Sequence, residues 1–164
     1  MRWVVLVLGV AAVVACGGED GITDATVDLD VTCQHPPTAD QVSELEVTVE
    51  PMVPSPRDVV NLTVAQGDLP ADASVGVDAM WQCWDGSDWV TTHVVYRGLG
   101  DDAGQTIPVN DSFQIHVPSI GLALDQGYPI VIPQVEAGVY RIEDKVVLED
   151  GEVGGFVLVE VVDG

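Results

Sequence analysis

Basic residues are scarce in this chain: 5 Lys and Arg stand against 27 Asp and Glu, for a formal net charge of −22. A surface so charged repels DNA, RNA and anionic lipid head groups, which excludes nucleic acid as a partner. The acids fall mostly in loops and at outward strand positions, so the plainest meaning of the charge is a solvated exterior; a cation-binding surface is the other. Short catalytic patterns are also missing. The chain has no G-x-S-x-G nucleophile elbow, no H-E-x-x-H and no Walker phosphate loop. Its three histidines, His35, His93 and His116, are scattered. A pair of carboxylates nominated among so many acids carries no information. The expectation is a protein that is not an enzyme, with no cofactor and no assigned metal.

Long apolar runs are limited to one, Trp3 to Ala15, preceded by the single charge of Arg2. A membrane span needs about 20 apolar residues to cross some 30 Å of hydrocarbon, and this run stops short at Cys16. A positive start, an apolar stretch of about 7 to 15 residues and a small residue at the cut are the layout of an export signal. The residues Val13-Val14-Ala15-Cys16 resemble the lipobox of bacterial lipoproteins, in which the cysteine sulfur receives a diacylglycerol and becomes the first mature residue. That resemblance implies a signal peptide over 1–15 and a lipid, palmitate among its acyl chains, on Cys16. The protein would then be exported and anchored to a bacterial membrane, at the cell surface or the periplasmic face. Ordinary cleavage after Ala15 is the alternative. Gly17 follows the cysteine, so the aspartate that marks inner-membrane retention in the lipoprotein family is absent. Residues 16–25, rich in Gly and Asp, read as a flexible tether.

Helical periodicity is absent from 26–164, and what is present instead is alternation. Val27, Leu29, Val31 and Cys33 alternate with Asp28, Asp30 and Thr32, and Leu45, Val47 and Val49 with Glu46 and Thr48. The pattern recurs at Val60 to Val64, Ser74 to Trp84, Trp89 to Tyr96, Phe113 to Val117, Tyr140 to Ile142 and Val157 to Val161. Period two is the mark of a strand with one buried face. Prolines and glycines, as in Pro51 to Pro56 and Gly67 to Pro70, cut the stretches between. The expected fold is all-β, a sandwich of about seven to nine strands in one domain over 26–164, with Trp81 in its core.

Cysteine is sparse as well. With Cys16 lipidated, Cys33 and Cys83 remain, and an exported setting permits them to pair. By the alternation both point inward, so a disulfide across the core is expected, worth on the order of 2 to 4 kcal/mol. A metal site using His35 beside Cys33, or free thiols, are the competing readings.

Three elements in order, Val60-Asn-Leu-Thr-Val64, Trp84-Asp-Gly-Ser-Asp-Trp89 and Ala137-Gly-Val-Tyr-Arg-Ile142, resemble the immunoglobulin-like domain of bacterial secreted and surface lipoproteins. Ala137 stands where that family usually has proline, and the strand bearing Cys33 is additional. The resemblance implies an immunoglobulin-like β-sandwich and no common catalytic site. It also implies that Tyr140 bonds backbone at a corner of the sandwich. Arg141 points outward, to cover apolar surface or pair with acids.

The function expected from these features is a lipid-anchored, non-catalytic binding or structural module of the cell envelope, with an envelope protein or a glycan as partner. Trp84 and Trp89, flanking an acidic turn, are the candidate ligand contacts. A second expectation is a calcium or glycan receptor, because Asp85, Ser87 and Asp88 share a turn, as do Asp101 and Asp102, and Glu149, Asp150 and Glu152. A protease inhibitor, an activity some proteins of this architecture have, is the third.

Overall fold

The computed structural model describes residues 31–37, 43–100, 102–109 and 121–164. The expected signal peptide, Cys16, the tether, most of the Val27–Cys33 strand, Asp101 and the Phe113–Val117 strand with His116 lie outside these residues.

Among the described residues all regular structure is β, in nine strands. They are β1 (Val47–Glu50), β2 (Val59–Val64), β3 (Ser74–Val75), β4 (Asp78–Trp84), β5 (Trp89–Tyr96), β6 (Gln105–Pro108), β7 (Tyr128–Val131), β8 (Gly138–Leu148) and β9 (Gly151–Val161). The smaller sheet runs β1-β2-β7, and the larger runs β3-β8-β4-β5-β6 with β9 on β8. Every pairing between strands is antiparallel. This accounts for the clean alternation in the sequence, since an antiparallel sheet can keep one face in water.

The two sheets bury their inner faces against each other. Val49, Val60, Leu62 and Ile130 of the small sheet meet Trp81, Cys83, Val95, Ile142, Val146 and Val159 of the large one, all at most 2% exposed. Burying each large aliphatic side chain contributes roughly 1.5 to 3 kcal/mol. Along one edge, the Phe156 amide donates to the Ser43 hydroxyl at 2.9 Å. Leu45 packs there so closely that a Cβ on Gly155 would sit 2.4 Å from the leucine Cβ. Along the other edge, the Gly98 amide donates to the Pro129 carbonyl at 2.7 Å.

The stretch from Ser74 to Trp84, read as one strand from its alternation, is two. β3 and β4 pair the same strand, β8, but their registers differ across Gly76 and Val77. Arg97 fills the break. Its guanidinium donates to the Gly76 carbonyl at 2.7 Å and to the Asp78 carbonyl at 3.3 Å. It also pairs with the Asp144 carboxylate, and the side chains of both residues are at most 1% exposed. Asp144 follows Tyr140 and Ile142 on the inner face of β8, so an acid occupies a core position. Burial pushes its carboxyl above the usual range, while Arg97 and the Lys145 amide pull it back down.

Cys33 and Cys83 form a disulfide, with Cα atoms 5.5 Å apart. Its placement corrects the expectation of a bridge across the core between two inward strand positions. Cys83 is fully buried on β4, but Cys33 is exposed and belongs to no strand. The bond fastens the segment 31–37 to the end of β4, where the Gln34 amide donates to the Trp84 carbonyl at 2.7 Å.

Candidate binding face

The outer face of the large sheet is built by cross-strand register. Residues at outward positions of β4, β5, β8 and β9 fall side by side because Gln82 lies opposite Arg141 and Thr91, Trp84 opposite Trp89, and Glu143 opposite Phe156. Directly opposed side chains in such a sheet approach to about 5 Å, near enough to stack. Here they form a ladder. Trp84 meets Trp89 edge to face, with ring centroids 5.8 Å apart. The Arg141 guanidinium carbon lies 5.0 Å from the Trp89 ring centre and 5.1 Å from that of Phe156.

Polar neighbours fix the guanidinium in that position. Arg141 Nε donates to Gln82 Oε1 at 2.6 Å, and Nη2 lies 3.4 Å from Glu143 Oε2. Gln82 Nε2 donates in turn to Glu143 Oε2 at 2.7 Å and to Thr91 Oγ1 at 3.2 Å. Desolvation lowers the Arg141 pKa from its ordinary value and Glu143 opposes that shift, so the cation is held by its ion pair and by the ring quadrupoles. Arg141 both covers apolar surface and pairs with an acid. Beside the ladder, a groove of about 290 Å³ is lined by Met80, Thr91, Val94, Tyr96 and Pro108.

Trp84 and Trp89, the two nominated contacts, come together here and are half-buried. Arg141, Phe156, Gln82 and Glu143 join them. Phe156 carried no signal of its own in the sequence, because only the β8–β9 register brings it beside Arg141.

The acidic turns behave differently. Asp85 accepts hydrogen bonds from the Ser87 amide, the Ser87 hydroxyl and the Asp88 amide at 2.8 to 2.9 Å. Those bonds, the Asp88 amide foremost, hold its carboxyl below the usual range. Its Oδ1 thus serves the hairpin turn, whose Gly86 sits at φ 109°. Among the described residues no three His, Cys, Asp or Glu side chains converge as a metal site requires. His93 is largely buried on β5, beside a bulge opposite Trp81 and Gln82, and desolvation lowers its pKa from 6.5 to about 4. It is neutral at pH 7.

Tyr140 donates from its hydroxyl to the Glu136 carbonyl at 2.9 Å, four residues upstream. Its ring packs on Trp81 at 5.1 Å between centroids. No family model, curated protein or solved structure matches this chain.

Proposed function

We propose that this protein is an envelope lipoprotein, exported and anchored through a lipid on Cys16, whose immunoglobulin-like domain is a non-catalytic binding module. The observation that carries the binding role is the Trp84–Trp89–Arg141–Phe156 ladder. Aromatic rings and a fixed guanidinium, half-exposed on one sheet face, are the side chains enriched where proteins bind partners.

Connectivity supports the immunoglobulin-like assignment. One sheet takes the first, second and fifth strands of that fold, as β1, β2 and β7, and the other takes the third, sixth and seventh, as β4, β8 and β9. A buried tryptophan on the third strand and a corner tyrosine at the start of the sixth, Trp81 and Tyr140, also belong to the pattern. The disulfide departs from it. Antibody domains bridge the second and sixth strands, where this chain packs Leu62 and Ile142.

The anchor rests on the residues around Cys16. Cells given labelled palmitate should incorporate it into the wild-type chain and not into Cys16→Ser; equal labelling of both removes the anchor. The binding role is tested by retention of the full chain on isolated envelope fractions, which Trp89→Ala should reduce tenfold or more. Retention unchanged in a folded variant removes the ladder as the contact.

A glycan is the occupant favoured by a specific observation. Planar hydrogen-bonding groups, Arg141 and Glu143, sit beside stackable rings, as sugar hydroxyls and C–H faces require. Quenching of tryptophan fluorescence by a panel of envelope oligosaccharides tests this, and no quenching with any of them turns the reading toward a protein partner.

A further inference from the structure

The disulfide occupies an unusual place for a bond that holds a domain together. One sulfur belongs to a core residue, Cys83, which is fully buried, and the other to Cys33, which is exposed and outside the strands. The two sheets hold together without it, through the Ser43 and Gly98 edge contacts and the shared apolar core. What the bond does hold is the segment 31–37. That segment keeps two hydrogen bonds to the end of β4: the Gln34 amide to the Trp84 carbonyl at 2.7 Å, and Gln34 Nε2 to the Asp85 carbonyl at 2.9 Å. The Gln34 side chain lies directly over Gly86, where a Cβ would approach it to 2.8 Å.

We propose that residues 31–37 form a redox-operated strap over the hairpin that carries Trp84 and Trp89. In the oxidised chain the strap clamps the backbone on both sides of the β4 terminus. A thiolate from a dithiol reductant attacks the sulfur of Cys33, the exposed residue of the pair, the S–S bond breaks, and Cys83 leaves as a thiolate that takes up a proton. The second thiol of the reductant then displaces Cys33, which is protonated in turn, and the reductant is left as its own disulfide. Two electrons and two protons are transferred. The two Gln34 hydrogen bonds, the buried Pro36 and the packing of Val31 on the core are then what retain the strap, and it comes away from the Trp84 end of the ladder while the sandwich stays folded.

The test follows amide hydrogen exchange in the full chain, oxidised, reduced with dithiothreitol, and as Cys33→Ser, a substitution at an exposed position. Expected is at least tenfold faster exchange at the Gln34 amide on reduction and in Cys33→Ser, with β8 and β9 amides unchanged. Unchanged Gln34 protection would show that the strap holds without the bond. Loss of protection throughout β8 and β9 would show that the bond holds the fold. Either outcome overturns the proposal. Exchange reads the strap directly and is independent of the binding reading, so failure of one is distinguishable from failure of the other.

Discussion

Two arginines of this protein, Arg97 and Arg141, lie on opposite faces of the same sheet. Arg97 is 4% exposed and faces the interior, where it satisfies the carbonyls left open by the β3–β4 break and pairs with Asp144. Arg141 is stacked between Trp89 and Phe156 on the outer face, its side chain 19% exposed. Both are ion-paired and hydrogen-bonded, so neither feature separates a structural arginine from one proposed to meet a partner. What separates them is the consequence of removal. Without Arg97 a buried carboxylate and two backbone carbonyls lose their partner. Without Arg141 the carboxylate left behind, Glu143, has water within reach, its side chain being 31% exposed.

The largest expected effect comes from breaking the inner pair. Arg97→Ala should cost about 3 to 5 kcal/mol, because an uncompensated charge remains in the core. Urea unfolding measures it. The double replacement Arg97→Met with Asp144→Leu should recover much of that loss, and a double variant no better than the single would mean that the open carbonyls, not the charge, dominate.

His93 comes next, on the same inner side. Its pKa is about 4 in the folded chain against 6.5 when unfolded, so the fold favours the neutral ring. Stability from this source is complete above pH 6.5 and is lost as pH falls toward 4, since the unfolded chain then takes up the proton first. The loss should reach roughly 2 kcal/mol between pH 7 and pH 5. Urea midpoints for His93→Gln should vary much less over that range, and an equal slope in the variant would assign it to other groups.

A smaller effect is expected at the sandwich corner. Tyr140→Phe keeps the ring on Trp81 and removes only the hydroxyl bond to Glu136, which should cost about 1 kcal/mol. A thermal melt within error of the wild type would show that water replaces the bond fully.

The legibility of these regions in the sequence differed for the same physical reason. Val47–Val49, Val60–Val64 and Val157–Val161 alternate cleanly because each belongs to an antiparallel sheet with one wet face. β6 and β7 went unread, being only four residues long and containing Pro108 and Pro129. Both are outer strands in the order of their sheets, where a missing amide is tolerated. Asp144 was misleading in another way. A charge in an alternating strand reads as outward, and only a partner from distant sequence, Arg97 on the far side of β5, makes an inward one affordable. Trp84 and Trp89 were legible because they flank a turn. Phe156 was not, because its role depends on pairing register. Cys33 pairs with Cys83 as expected, whereas the face a cysteine occupies cannot be read from alternation when the residue lies in no strand.

The division of labour between the two arginines is tested most directly by Arg141→Ala in the full chain, with melting temperature and retention on isolated envelope fractions measured on the same sample. The account predicts a melting temperature within a few degrees of wild type, since cation–π contacts at a partly exposed site contribute about 1 kcal/mol, together with at least a tenfold loss of retention. A variant that unfolds like Arg97→Ala, or one that stays folded and is retained as well as wild type, would contradict it.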